Sequence, residues 1–115
     1  MRETNPNFMN GVPELLILHV LREREMYGYE LVQAIRARTL AAITLGEGVV
    51  YPVLHGLEKQ GALQSRRMTV QGRSRVYYAL TPKGAERLSE LAGTWSRLAD
   101  AIRQVMEGQG HAQPA

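Results

Sequence analysis

Cysteine is absent from all 115 residues. That excludes disulfide scaffolds, thiolate nucleophiles and every zinc site built on cysteine. It also fits a reducing compartment. Aromatics are sparse: one Trp and one Phe accompany five Tyr. No apolar run reaches the roughly 18 residues of a membrane span, so no membrane role is expected. Residues 1–10 hold one Arg and no long apolar stretch, unlike a secretory signal, and a cytoplasmic location is the default. The chain has no P-loop and no dinucleotide-binding glycine fingerprint. His19, His55 and His111 show no metal-ligand spacing. Ser65, Ser74, Ser89 and Ser96 show no accompanying His and acid arrangement. An enzyme, a metal and a cofactor are therefore not expected.

What is present is ordinary in bulk and uneven in detail. Hydrophobic residues make up 44% and charged residues 22%, which suits one small globular domain. The formal net charge is +3. Residues 1–58 carry −2, residues 59–75 carry +5, and residues 81–115 are neutral. The positive stretch contains Lys59, Arg66, Arg67, Arg73 and Arg75 with no acid among them. That concentration suits a polyanion partner, and it equally suits a plain solvated surface.

Hydrophobic spacing divides the chain. Pro13 to Arg24 reads as a first helix, apolar almost all round, with Pro13 at a first-turn position. Phe8, Met9 and Val12 extend its apolar surface. His19 within it reads as a satisfied structural residue. Met26-Tyr27-Gly28 reads as a break, and Tyr29 to Ala37 as an amphipathic second helix. Thr44-Leu45-Gly46-Glu47 matches a capping box. A cap at Thr44 would leave Pro52 deep in the third helix, so a start near Gly46 to Gly48 is preferred. Val50, Val53, Leu54 and Leu57 then face the core, and Gly61 is the expected left-handed cap.

Beyond Gly61 the period becomes two. Ala62 to Met68 and Ser74 to Leu80 read as strands joined by a hairpin tip over residues 69–73. Thr81-Pro82 restarts a helix, with Thr as N-cap. Leu88, Leu91, Trp95, Leu98, Ile102 and Val105 follow in a heptad seam. The fold class is mainly α with a two-stranded β-hairpin, a winged helix-turn-helix followed by a long helix. The expected division is an N-terminal extension over 1–10, a DNA-binding domain over 11–80, a dimerisation helix over 81–107 and a disordered tail over 108–115. The seam is too long for one small core and predicts a homodimer, with Phe8 and Met9 contributing.

In this layout the third helix enters the major groove of double-stranded DNA. Its outer face presents Gly48, Tyr51, Pro52, His55 and Lys59, and Val49 adjoins it. Gly48 permits close backbone approach, Val49 suits a thymine methyl, and Tyr51, His55 and Lys59 suit phosphates or base edges. No Arg, Asn or Gln stands early in this helix, which predicts readout by shape and apolar contact. Tyr51 as a half-buried packing residue, and His55 as a plain surface residue, are the structural alternatives. Gln71, Arg73 and Arg75 at the hairpin would clamp a phosphate or enter a minor groove. Arg66 and Arg67 point to opposite faces of their strand, so one of them helps. The functional alternatives are a winged-helix protein-interaction module without specific DNA binding, and a small-molecule binder without regulatory output.

Five motifs in order carry a family resemblance. They are Pro13-Glu14-Leu15-Leu16-Ile17-Leu18, Tyr27-Gly28-Tyr29-Glu30-Leu31, Val50-Tyr51-Pro52-Val53-Leu54, Leu57-Glu58-Lys59-Gln60-Gly61 and the run from Gly72 to Gly84. Over residues 11–106 the chain resembles the PadR family of bacterial transcriptional regulators. The resemblance implies a homodimeric winged-helix repressor on a promoter inverted repeat. It places Tyr51 and Pro52 in the major groove, with Tyr29 nearby and Arg73 to Arg75 beside them. The single C-terminal helix is similar to that of the small subgroup, in which a Trp stacks flat aromatic effectors at the dimer interface. Trp95 occupies the similar place, and simple packing in the seam is its structural alternative. Two departures weaken electrostatic binding. Gly56 stands where the family commonly has Arg or Lys, and Val76 where a basic residue often precedes the tyrosine pair.

Overall fold

The computed structural model describes residues 11–108. Phe8, Met9 and the tail beyond Gly108 lie outside them. The elements are α1 (Val12–Leu21), β1 (Met26–Tyr27), α2 (Gly28–Arg38), α3 (Glu47–Lys59), β2 (Leu63–Val70), β3 (Arg73–Leu80) and α4 (Pro82–Met106). Helices α1, α2 and α3 surround one core, and the sheet closes it.

Helix α1 buries Ile17, Leu18, Val20 and Leu21, while Val12, Leu15 and Leu16 are half-buried against the core. His19 is exposed, contrary to its expected structural role. Helix α2 starts where the Tyr27 N–H donates to the Glu30 carboxylate at 3.2 Å. Leu31, Val32 and Ile35 form its buried face. It ends with two closing bonds, Leu40 N–H to Ala37 C=O and Ala41 N–H to Arg36 C=O. Leu40 and Ala41 both have positive φ there, 52° and 65°. This is a Schellman-type ending with leucine where glycine is usual. The Thr39 hydroxyl donates to the Ile35 carbonyl at 2.9 Å and accepts from the Ile43 N–H at 3.0 Å. One side chain thereby shapes the turn of the helix-turn-helix.

Helix α3 begins at Glu47 with Gly46 as cap, so the later start holds and Thr44 is buried outside the helix. Pro52 sits inside it and is exposed. It has no N–H to offer the Gly48 carbonyl one turn back. Val50, Leu54 and Leu57 are buried as the spacing predicts, and Val53 is half-buried. Gly61, at φ 84°, terminates α3 with Ala62 N–H bonded to Leu57 C=O.

The sheet has three strands in the order β1-β3-β2, all antiparallel. The expected hairpin is β2-β3. The Met26-Tyr27 break is in fact a third strand, pairing Met26 with Tyr78 and Tyr27 with Tyr77. Two residues carry no readable period, so only the partner strand reveals it. The hairpin turn is Gln71-Gly72, with φ of 51° and 78°. Positive φ at both positions is the primed geometry that matches strand twist.

Helix α4 leaves the core as it proceeds. The Thr81 hydroxyl accepts from the Gly84 N–H at 3.0 Å and donates to the Gly61 carbonyl at 2.6 Å. The same residue therefore caps α4 and ties it to the end of α3. Gly84 and Leu88 are buried and Leu91 is half-buried, but the later seam residues are exposed. The 25 residues of α4 span about 37 Å at ~1.5 Å each. They help give the molecule a long axis of 67 Å.

Candidate nucleic-acid interface

Gly48, Pro52, His55 and Lys59 are all exposed, at successive spacings of four, three and four residues along α3. That periodicity places them in one stripe opposite the buried Val50, Leu54 and Leu57. Val49 is half-buried beside the stripe. Tyr51 is also half-buried, and its position has a specific cause. A Cβ on Gly28 would lie 2.5 Å from the Tyr51 Cζ and 2.6 Å from its hydroxyl oxygen. The phenol therefore rests on the bare backbone at the start of α2, with its ring 6.3 Å from that of His55. Tyr29, in the first turn of α2, is half exposed. Behind these groups, burial raises the pKa of Tyr78 above 10.0, with Glu58 and Tyr51 adding to the effect.

The basic segment divides by partner. Arg66 donates through Nε to Glu25 at 3.0 Å and through a second nitrogen to the other carboxylate oxygen. That bidentate pair lowers the pKa of Glu25 and raises that of Arg66. Arg67 reaches the Ser74 hydroxyl across the hairpin at 3.2 Å. The Arg75 guanidinium lies 4.1 Å over the centre of the Tyr27 ring. Tyr27 in turn meets Tyr77 edge-on, with centroids 5.3 Å apart. Arg73 is exposed beside the Gln71-Gly72 turn, and Lys59 is exposed on α3. Neither has an ion-pair partner among the described residues. Arg66 braces the sheet against the loop before β1, and Arg75 has a structural stacking partner. The sequence alone assigns Tyr27 no role in the wing, because β1 forms only against β3.

A second surface runs along α4. Trp95 is 48% exposed, and Val105 and Met106 are about 80% exposed. Leu98 and Ile102 are half exposed between them. A small cleft of about 100 Å³ between α1 and α4 is lined by Val12, Leu15, Leu91, Trp95 and Leu98, among others. An open groove of about 490 Å³ continues past Trp95 along Ala99, Ile102, Arg103 and Met106. Trp95 stands at the junction of the two. Leu88 already packs into this chain's own core, and among the described residues the seam from Trp95 onward is exposed.

No helix among the described residues is long and apolar enough to cross a membrane. No group of three or more His, Cys, Asp or Glu among them is placed to hold a metal. The comparisons agree with the geometry. Over 104 residues the chain is 35% identical to the transcriptional regulator Rv3488 of Mycobacterium tuberculosis, covering 90% of this chain and 92% of that one. A PadR family transcriptional regulator from Eggerthella lenta superposes with a TM-score of 0.75 at 31% identity, covering 88% and 87% of the two chains. A transcriptional regulator from Clostridium thermocellum superposes at 0.79 with 28% identity, covering 85% and 96%. Residues 17–90, from the buried end of α1 through the wing into α4, match the Transcriptional regulator PadR-like family. With a winged helix-turn-helix, a basic wing and this match over most of the chain, the protein belongs to the PadR-like family of transcriptional regulators.

Proposed function

We propose that the protein is a homodimeric, sequence-specific DNA-binding repressor acting on an inverted repeat. The observation that carries this reading is the exposed stripe of α3 followed directly in the chain by the basic segment of the wing. Gly48, Pro52, His55 and Lys59 form a continuous exposed ridge, and the only strongly basic segment of the chain follows directly from its end. The ridge is poor in bidentate base readers. Specificity therefore comes from the fit of Gly48, Val49 and Pro52 to the groove and from wing contacts to shape. Tyr51, held on Gly28, and Tyr29 address the phosphates on one side, and Arg73 and Gln71 on the other.

The second copy docks along α4. The exposed apolar residues Trp95, Leu98, Ile102 and Val105 repeat at heptad spacing, the pattern of a two-helix seam. Dimerisation through them would set the two α3 helices about 34–36 Å apart on one DNA face. A flat aromatic effector in the groove at Trp95 would release DNA by favouring a dimer of another spacing.

Selection from a pool of randomised duplexes at physiological salt tests the reading. Enrichment of an inverted repeat, with binding that weakens steeply as salt rises, is the expected result. Binding without any enriched sequence would refute specificity, and no salt-dependent binding would favour the protein-interaction alternative. The effector is tested by Trp95 fluorescence. Flat aromatic compounds should quench it and weaken DNA binding together, and a panel that does neither removes the effector.

A further inference from the structure

The wing arginine Arg75 is not free in the folded protein. We infer that Tyr27 is a positioning residue for DNA binding, holding the Arg75 guanidinium in place before the duplex arrives. This rests on the DNA-binding reading above and assigns a residue to it that lies outside both α3 and the hairpin.

Three observations converge on Tyr27. Its ring carries the Arg75 guanidinium at 4.1 Å. The same ring is held edge-on by Tyr77, at 5.3 Å and an interplanar angle of 74°. Its backbone belongs to β1, which pairs with β3, and it is also the cap residue of α2. Tyr27 thus joins the wing strand to the first helix of the helix-turn-helix. The Glu25–Arg66 pair, two residues before Tyr27, fastens β2 to the same segment. Tyr27, Tyr77 and Arg66 fall on the outer face of the sheet, opposite the buried Met26 and Tyr78.

The chemistry favours a role in binding. An arginine stacked on an aromatic ring keeps all its N–H groups, since stacking uses the π faces and leaves the edge donors directed outward. The Arg75 side chain has no hydrogen-bond or ion-pair partner among the described residues, so its N–H groups remain available to a phosphate while its guanidinium is already held over the ring. An unstacked arginine would lose that rotamer freedom on binding. Freeing one such side chain weakens association by about 2- to 12-fold per wing.

The test uses the full chain and a labelled mixed-sequence duplex, titrated across a range of salt concentrations. Arg75→Ala should weaken binding and lower the slope of log K against log salt by about 0.9 for each phosphate that Arg75 neutralises. Tyr27→Leu should weaken binding by the 2- to 12-fold above for each engaged wing, about 5- to 150-fold for a dimer with both wings on the duplex, with the slope unchanged, and should have no further effect when Arg75 is already Ala. Tyr27→Phe, which keeps the ring, should bind like the parent. Arg75→Lys gives a route that leaves Tyr27 intact if Tyr27→Leu does not fold. It keeps the charge and the slope but loses the planar stack, and should weaken binding. Fully additive losses for Tyr27→Leu and Arg75→Ala, or an Arg75→Lys variant that binds like the parent, would overturn the positioning role. A parent protein with no salt-dependent DNA binding would overturn the DNA-binding reading and this inference with it.

Discussion

Replacing Gly84 by alanine pits helix propensity against a backbone contact. In an ordinary helix the change stabilises by about 1 kcal/mol. Here a Cβ would fall 2.1 Å from the Ala62 carbonyl oxygen, 2.7 Å from Leu80 Cδ1 and 3.0 Å from the Ala62 carbonyl carbon. The obstacle is backbone, so α4 itself must withdraw, by more than 1 Å to reach ordinary van der Waals separation (~3.4 Å). Such overpacking costs about 1–3 kcal/mol. Withdrawal also strains two bonds between α4 and the end of α3. These are the Thr81 N–H to Ala62 C=O and the Thr81 hydroxyl to Gly61 C=O. Each contributes about 1 kcal/mol net. Set against the propensity gain, the sum is a loss of about 2–4 kcal/mol. At about 4 °C per kcal/mol this lowers Tm by roughly 8–16 °C. The assay is thermal and urea denaturation at one fixed protein concentration, since a dimer's stability depends on it. Gly93→Ala is the control. It lies in the same helix and meets only a flexible Arg97 guanidinium at 3.4 Å, so it should stabilise by about 0.5–1 kcal/mol. If Gly84→Ala is neutral or stabilising like Gly93→Ala, the close approach of α4 to Ala62 is wrong.

Gly56→Ala should stabilise by about 0.5–1 kcal/mol, because nothing lies within 4 Å of the added methyl and α3 gains propensity; a lower urea midpoint would contradict this. Leu40→Gly should stabilise by about 1 kcal/mol, since Leu40 has φ 52° and is 91% exposed, so it loses strain and almost no packing; the check is again a denaturation midpoint. Gly28→Ala should displace the Tyr51 phenol, whose atoms would lie 2.5–2.6 Å from the new methyl; DNA affinity is expected to fall more than stability does, as seen by comparing anisotropy titrations with melts. Acid should destabilise the fold through Glu23 and Glu25, whose pKa values Arg38 and Arg66 hold below 4.5. Because the folded values are depressed, this stabilisation is fully present above pH 4.5 and is lost as pH falls through the folded values. The double variant Glu23→Gln, Glu25→Gln should show a flatter dependence of the urea midpoint on pH in that window.

Most of the architecture was legible because it is written in local periodicity. The 3.6-residue spacing of Val50, Leu54 and Leu57, the alternation around Tyr78, and the Thr81-Pro82 start each act within one element. Gly61 and Gly72 were legible for the same reason, since positive φ is a property of one residue. The ordered motifs likewise sufficed to place the chain in its family.

Other features depend on elements distant in sequence. Strand β1 exists only because β3 offers Met26 and Tyr27 a ladder. Tyr51 and Gly28 come together across the helix-turn-helix, and nothing in either local sequence announces the contact. The wing cations looked equivalent in sequence. Folding gave Arg66 a carboxylate 41 residues away and Arg75 an aromatic face, and left Arg73 exposed. The helices, the hairpin, the charged segment and the heptad spacing follow from the amino-acid order alone, because hydrophobic spacing and composition are local. Which cations are held, where α4 parts from the core, and what Tyr51 rests on were set by packing, because those contacts join residues far apart along the chain.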